Sequence, residues 1–230
     1  MSQETHRSNI QAVVKLVKER RVRGRRTVIA VAGPPASGKT TLAEAVVQSL
    51  NRMGPDGGQA SVLPMDGYHL DNEDLRQRGL LARKGAVETF DALGFFAALR
   101  SVVNNQSDLA LPGFDRDRDC VVPDQIVIKQ TTQIVVAEGN YLLLDREPWS
   151  SLQPFYDGTV FVKAALDVLE QRLLARWHDQ DLSAQDAQDK VMTNDLPNAA
   201  LVLDESLGAD LVIEHAVHDA LFEPDGGRPD

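Results

Sequence analysis

The segment with the clearest chemical signature is the eight-residue loop GPPASGKT at residues 33–40. It fits the pattern G-x-x-x-x-G-K-[ST], whose glycines allow a tight turn with backbone N–H groups converging on phosphate oxygens. Lys39 can reach the β- and γ-phosphates of a nucleotide, and the hydroxyl of Thr40 can bind Mg²⁺. A helix that begins at the loop adds partial positive charge from its N-terminus. The motif therefore predicts a site for a nucleoside triphosphate.

Two acidic residues follow segments that we predict to be strands. Asp66 comes directly after the apolar segment 60–65, and Glu138 comes directly after the apolar segment 133–137. Ligands of an open parallel sheet bind beyond the carboxyl ends of its strands, so both carboxylates are expected beside the phosphate loop. Asp66 could accept the proton of a substrate hydroxyl, or it could cap a following helix. Glu138 could hold Mg²⁺ through the ion's water shell, or it could face solvent.

The elements that must position these residues follow an alternating pattern. Short, nearly continuous apolar runs alternate with helical patterns, which predicts a parallel sheet that is buried on both faces and covered by helices. Strands are predicted at 27–32, 60–65, 133–137, 159–163 and 210–214. Helices are predicted at 39–52, 91–103, 166–177 and 184–192.

We predict one α/β domain with a three-layer α/β/α fold and a five-stranded parallel sheet. Segment 109–129 fits neither periodicity, so a small peripheral hairpin is expected there. Residues 1–26 are expected to form a basic amphipathic helix that packs on the domain. The domain then covers residues 27–222, and a frayed tail is expected at 223–230.

Charge and composition limit the classes of molecule that the protein is expected to bind. The chain of 230 residues has 24 basic and 34 acidic residues and a net charge of −10, although residues 1–26 hold eight basic and two acidic residues. An acidic body disfavours nucleic-acid binding, and the apolar runs are too short to cross a bilayer. We therefore expect no nucleic-acid or membrane partner, a cytoplasmic location and a small-molecule ligand, with a homodimer left open. The single cysteine, Cys120, excludes an intrachain disulfide.

Five segments of the chain resemble one family of enzymes. They are GPPASGKT, MDGYH at 65–69, RKGAVETFD at 83–91, PGFDR at 112–116 and AEGNYLL at 137–143. In order and spacing they resemble the uridine kinase, pantothenate kinase and phosphoribulokinase group of P-loop kinases, and especially bacterial members described as nucleoside/nucleotide kinase-like or fructokinase-like. The resemblance covers about residues 27–214. It implies that ATP, with Mg²⁺ as cofactor, phosphorylates a hydroxyl of a small molecule.

The resemblance also implies roles for residues that match the family's motifs. It implies the P-loop NTPase fold, with an acceptor-side excursion at about 66–130 and a lid at about 166–195. Nucleotide contacts are implied for Gly33, Ala36, Ser37, Gly38, Lys39, Thr40, Thr41 and Asn198. Thr40 and Glu138 are implied to hold Mg²⁺, Asp66 to be the catalytic base, and Lys39 to act on the phosphates.

Two features of the predicted lid have alternative interpretations. Arg172 and Arg176 lie four residues apart and therefore share one face of a helix. In the related kinases a lid helix brings arginines to the transferring phosphates, which implies a catalytic role. The alternative is a solvated helix face paired with nearby acids. Asn198 either contacts the nucleotide base or belongs to the turn and helix-start chemistry of segment 194–198.

The acceptor pocket is where the chain departs from the related enzymes. The resemblance implies acceptor contacts from Asp66, Tyr68, His69, Arg83, Lys84, Phe114, Arg116 and Asn140. Phe114 replaces a tyrosine of the relatives and Arg116 replaces a histidine, which disfavours pantothenate and uridine. A fructose-like sugar is therefore the first expectation for the acceptor, followed by a nucleoside or pantothenate. The alternative from a different functional class is a nucleotide-gated binding or regulatory protein that has weak or no phosphoryl transfer activity.

Overall fold

Seven strands form two sheets in the computed structural model, which describes residues 3–22, 24–54 and 59–215. The strands are β1 (Thr27–Ala32), β2 (Ala60–Pro64), β3 (Leu109–Asp115), β4 (Cys120–Ile128), β5 (Ile134–Gly139), β6 (Gly158–Ala164) and β7 (Leu211–His215). Five of them form a parallel sheet in the order β2-β5-β1-β6-β7. β3 and β4 pair as an antiparallel hairpin. The predicted five-stranded parallel sheet is confirmed.

Helices cover the faces of the parallel sheet. They are α1 (Gln3–Arg20), α2 (Lys39–Arg52), α3 (Asn72–Gln77), α4 (Ala92–Asn104), α5 (Leu166–Asp179), α6 (Ala184–Lys190) and α7 (Leu196–Glu205). In β1, Ile29 and Val31 pack towards α1 and α2, whereas Val28 and Ala30 pack towards α4. Alternate side chains of this central strand thus point to opposite faces of the sheet, and helices on both faces give a three-layer architecture. No helix in the described ranges is long and apolar enough to cross a membrane.

Three arginines at and after the end of α1 are paired with other parts of the protein. Arg20 pairs with Asp210 at 2.6 Å, and Arg25 pairs with Asp157. Arg26 is 2% exposed and donates hydrogen bonds to backbone carbonyl oxygens at the end of α4 and in the turn before β5. The expected frayed tail, residues 223–230, lies outside the described residues.

The helical path after residue 184 differs from the prediction. The predicted helix 184–192 stops at Met192, whereas in the structure α6 continues through a π-helical turn, Val191–Asp195, directly into α7. Pro197 lies in the first turn of α7, where a helix tolerates proline. π-helical turns such as Val191–Asp195 are frequent at functional sites.

Candidate active site

A cavity of about 510 Å³ lies at the carboxyl ends of the parallel strands. Six parts of the chain line it: the phosphate loop, the turn after β2, segment 72–90, the β3–β4 hairpin, Asn140 after β5, and the segment from α5 to α7, which contains the predicted lid. Among the predicted site residues, those that line it are Ala36, Gly38, Lys39, Thr40, Thr41, Asp66, His69, Lys84, Phe114, Arg116, Asn140, Arg176 and Asn198. Segments far apart in sequence thus line a single cavity.

The phosphate loop is shaped by close backbone contacts. A Cβ atom on Gly33 would lie 2.4 Å from the carbonyl oxygen of Val162, so only glycine fits between the loop and β6. Ala36 adopts a φ of 60°, which costs a non-glycine residue energy and is typical of functional loops. The hydroxyl of Ser37 is buried and makes no hydrogen bond within the described chain. These features fix the shape of the loop.

Three charged side chains at the phosphate loop, those of Lys39, Asp66 and Glu138, influence one another electrostatically. Glu138 is 2% exposed, and Lys39 is also buried. Burial, together with the charge of Asp66, raises the pKa of Glu138 from 4.5 to about 7, although Lys39 and a hydrogen bond from Thr40 act to lower it. Burial lowers the pKa of Lys39. The cluster therefore favours a ligand that adds positive charge near Glu138 and negative charge near Lys39.

These oxygens suit a magnesium ion. Mg²⁺ prefers oxygen ligands and is usually bound by one or two carboxylates together with water and substrate phosphates. The Thr40 hydroxyl and the Glu138 carboxylate supply such oxygens. Within the described residues there is no group of three or more His, Cys, Asp or Glu side chains that could enclose a metal ion without a substrate. The donor set fits magnesium that arrives with a nucleotide.

The turn after β2 lies against the hairpin and carries Asp66. A Cβ atom on Gly67 would lie 2.2 Å from the carbonyl oxygen of Pro112, so the two segments touch directly. Arg116, in the tip of the hairpin, donates a hydrogen bond to the Asp66 carboxylate at 3.0 Å. The hairpin therefore sets the position of a cation beside the carboxylate.

His69 lies between two aromatic rings on the same wall. The ring centroid of Phe90 is 4.1 Å away and that of Phe114 is 4.6 Å away. The Nδ1 atom of His69 lies 2.7 Å from the backbone oxygen of Asp66. Burial lowers the pKa of His69. The imidazole is thus held rigidly next to Asp66.

The lid contributes cations around a tryptophan. Trp177 donates a hydrogen bond from Nε1 to Asp195 at 2.6 Å. The Lys190 ammonium lies 3.8 Å from its ring centroid, and the Arg176 guanidinium carbon lies 5.3 Å away. Arg172 donates to the carbonyl oxygen of Ala36 in the phosphate loop at 3.3 Å. The lid therefore already contacts the loop.

Known proteins resemble this chain over most of its length. Residues 1–56 match the TIP49 P-loop domain. The Escherichia coli K12 protein YggC, described as uncharacterised, is 37% identical over 190 residues, 83% of this chain and 78% of that protein. A Schizosaccharomyces pombe protein named "Putative uridine kinase" is 31% identical over 197 residues, 82% of this chain and 83% of that protein. The crystal structure of a "putative fructose transport system kinase" from Silicibacter sp. TM1040 matches with a TM-score of 0.83 and 36% identity, over 88% of this chain and 98% of that one.

The chain belongs to the uridine kinase, pantothenate kinase and phosphoribulokinase group of P-loop kinases. It is therefore a small-molecule kinase with a nucleotide-binding site. The expected resemblance, fold and enzyme class are confirmed.

Some residues of the kinase that were predicted to line the site lie elsewhere. Tyr68 packs edge-on against Phe95 in the core, and Arg83 is exposed and pairs with Glu88. Lys84 lines the cavity, but its ammonium makes three contacts with Asn72 and Asp119, between 2.7 and 3.0 Å. Gly33, Ser37, Glu138 and Arg172 are not among the residues that line the cavity.

Sequence reasoning missed several residues that line the cavity of the kinase. They include Asn72, Asp119, Trp177, Lys190 and Asp195. The adjacency of Trp177 to Arg176 on a predicted lid helix was the one local signal that could have found a member of this set. The others reach the cavity through tertiary contacts, such as the hydrogen bond of Asp195 with Trp177.

Proposed function

We propose that the kinase transfers the γ-phosphoryl group of MgATP to a hydroxyl of a small, sugar-like acceptor. The observation that supports it most strongly is the continuous cavity that joins the phosphate loop to Asp66 and to a polar acceptor wall. The name of the Silicibacter protein, "putative fructose transport system kinase", favours a sugar. The name of the Schizosaccharomyces pombe relative favours a uridine-like nucleoside as the second candidate.

In this proposal the phosphate loop and the lid bind the nucleotide. The loop amides and Lys39 hold the phosphates, Asn198 lies beside the nucleotide, and Arg172 and Arg176 approach the transferring group from the lid. Thr40 and Glu138 would hold Mg²⁺, which supplies neutralisation of the charge that develops on the phosphates. These groups lower the barrier chiefly by electrostatics and positioning.

Asp66 is the proposed catalytic base. The acceptor oxygen forms a bond to the γ-phosphorus while the bond from that phosphorus to the bridging oxygen of ADP breaks. The hydroxyl proton passes to the Asp66 carboxylate, and such proton transfer typically contributes about 10²–10⁴ in rate. Arg116 holds the carboxylate in place at 3.0 Å before the acceptor enters. An acceptor hydroxyl would compete with Arg116 for that oxygen.

The test is ADP release from MgATP with ketohexoses, other sugars, nucleosides and pantothenate as acceptors. We expect one acceptor class to raise ADP release well above the rate without acceptor. Asp66→Asn should lower this turnover by about 10² or more while leaving ATP affinity nearly unchanged, because the base acts only on the acceptor proton. Asp204, an exposed residue of α7, provides the matched control Asp204→Asn, which should keep wild-type turnover.

Two outcomes would contradict the proposal. Equal turnover of the wild-type protein and Asp66→Asn would overturn the assignment of the base. Tight MgATP binding without stimulation by any acceptor would instead favour a nucleotide-gated binding protein.

A further inference from the structure

Lys190 is the last residue of α6 and brings an ammonium group to the wall of the cavity. The side chain is half-buried, and its ammonium lies 3.8 Å from the ring centroid of Trp177. Among the residues that the structure describes, this ammonium donates no hydrogen bond and forms no salt bridge. An ammonium has three donors and is strongly hydrated in water, and an aromatic ring covers only one side of it. The described part of the protein therefore lacks a hydrogen-bond acceptor for Lys190.

The acidic residues of the cavity wall have partners other than Lys190. Three carboxylates line the cavity, and each of them forms a hydrogen bond or a salt bridge with a different side chain. The partners are Arg116 for Asp66, Lys84 for Asp119 and Trp177 for Asp195. These contacts hold the carboxylates in place without pairing any of them directly with Lys190.

Two lysines of the cavity, Lys39 and Lys190, have different electrostatic neighbours. Burial is the largest influence on both and lowers the pKa of each. The charged groups that act on Lys39 are Glu138, Asp66, Arg116 and Arg176. Those that act on Lys190 are Asp195, Asp119, Arg176 and Lys84. Lys190 therefore lies on the side of Lys84 and the hairpin tip, whereas Lys39 serves the phosphate loop.

Lys84 extends this positive region towards the proposed base. Its ammonium lies 5.0 Å from the ring centroid of Phe114, and that ring lies 4.6 Å from the ring of His69. His69 in turn contacts the backbone oxygen of Asp66 at 2.7 Å. Two aromatic side chains thus separate the cation from the proposed base along one wall of the cavity.

We propose that the acceptor carries an anionic group, a phosphate or a carboxylate, that binds to Lys190 and Lys84 while its reacting hydroxyl lies at Asp66. Asp119 offsets the charge of Lys84, so the attraction for the anion depends chiefly on Lys190. Both kinds of anion accept charge-assisted hydrogen bonds, which are stronger than those between neutral groups. The substrate class is then sugar phosphates or sugar acids rather than neutral sugars or nucleosides. This inference rests on the proposed function, because it concerns the acceptor of the same reaction.

The first test measures binding without phosphoryl transfer. The non-hydrolysable β,γ-imido analogue of ATP, added with Mg²⁺, occupies the phosphate loop, so that other anions do not bind there. Calorimetric titration then compares D-fructose and D-ribose with their terminal phosphate esters, and D-glucose with D-gluconate. We expect an anionic compound to bind about 10- to 100-fold more tightly than its neutral partner, as is typical of hydrogen bonds to charged groups. The esters and the sugar acid show which kind of anion the site takes.

The second test removes the charge of Lys190. Lys190→Met keeps a long side chain against Trp177 and should bind the anionic compound at least about 10-fold more weakly, with less than about a threefold change for the neutral partner. Lys190→Arg keeps the charge and should retain the preference for the anion. Lys18→Met, a matched change at an exposed lysine of α1, should keep the wild-type affinities. Unchanged affinity of Lys190→Met for the ATP analogue shows that its site remains folded.

The outcomes separate the two proposals. Equal affinity for the neutral and anionic members of all three pairs would overturn the inference even if a neutral sugar is phosphorylated. Weaker binding of the ATP analogue to Lys190→Met, with unchanged binding of the anionic compound, would assign Lys190 to the nucleotide and also overturn the inference. An anionic compound that needs Lys190 for binding but is never phosphorylated would overturn the proposed function and leave the anion subsite standing.

Discussion

At the scale of single residues, the site depends on charges that are costly to bury. Glu138 and Lys39 lie beneath the phosphate loop with little access to solvent, and Asp66 adds a second negative charge nearby. Such an arrangement destabilises the free protein and becomes favourable when a magnesium nucleotide supplies the missing charges. The backbone of Ala36, with its φ of 60°, also costs the free protein energy.

The raised pKa of Glu138 predicts how stability depends on pH. Its folded-state pKa, about 7, lies above its ordinary value of 4.5, so the free protein loses stability as pH rises through that interval. Glu138→Gln removes the ionisation and should therefore raise the melting temperature more at pH 8 than at pH 5. Thermal unfolding without nucleotide measures this. Glu44→Gln, at an exposed position of α2, should show no such difference, and an equal effect of Glu138→Gln at both pH values would contradict the prediction.

At the scale of elements, the π turn links the lid to the acceptor wall. Asn194, which is 2% exposed, donates to the backbone oxygen of Lys84 at 2.9 Å and accepts from Asn198 at 3.3 Å. Lys84 in turn binds Asn72 and Asp119 with its ammonium group. One chain of hydrogen bonds thus runs from the lid through Lys84 to α3 and the hairpin tip.

Breaking this chain should affect both stability and acceptor binding. Asn194→Ala leaves the Lys84 carbonyl unpaired and should cost about 1–3 kcal/mol of unfolding free energy. It should also raise the KM for the acceptor more than it changes kcat, because Lys84 and the hairpin tip lose an anchor. Denaturant unfolding and steady-state kinetics measure the two effects. Asn104→Ala, at an exposed position of α4, is the matched control, and an unchanged KM in Asn194→Ala would refute the link.

The lid should also report nucleotide binding by fluorescence. The chain has two tryptophans, of which Trp149 is buried in the core and Trp177 lines the cavity between Arg176 and Lys190. A nucleotide that attracts Arg176 to its phosphates would remove a cation from the Trp177 ring. MgATP should therefore change the emission of the wild-type protein, and Trp177→Phe should abolish the change. A change that persists in Trp177→Phe would place its origin at Trp149.

At the scale of the whole molecule, Arg26 connects parts of the chain that frame the acceptor side. Its guanidinium donates to the backbone oxygens of Val102, Lys129 and Thr132 at 2.7 to 2.9 Å. It thereby joins the start of β1 to the end of α4 and to the turn between the hairpin and β5. A buried cation in this position also compensates the negative end of the α4 dipole.

Removal of Arg26 should be strongly destabilising. Arg26→Leu leaves three carbonyl oxygens without their donor and should cost roughly 2–4 kcal/mol, measured by chemical unfolding. Arg52→Leu removes an exposed arginine at the end of α2 and should change stability by less than about 0.5 kcal/mol. Similar effects of the two substitutions would show that Arg26 is not needed to hold these segments together.

The sequence by itself determined the features that depend on neighbours along the chain. The phosphate loop, the buried parallel strands, the hairpin and the kinase resemblance all follow from local patterns, because turn chemistry and apolar periodicity act over a few residues. The prediction ended a helix at residue 192 and left segment 194–198 as a turn or a helix start, whereas in the structure the π turn Val191–Asp195 joins α6 to α7, which has Pro197 in its first turn.

Only the tertiary structure decided which side chains line the cavity and which hydrogen bonds and packing contacts they make. Lys84 and Tyr68 were both predicted to contact the acceptor; Lys84 does line the cavity but binds Asn72 and Asp119 there, whereas Tyr68 packs against Phe95 in the core. The surroundings of His69 likewise consist of a backbone oxygen and aromatic rings, among them one distant in sequence, that folding brings together. The physical reason is that burial and hydrogen-bond pairing depend on residues distant in sequence, which periodicity does not encode.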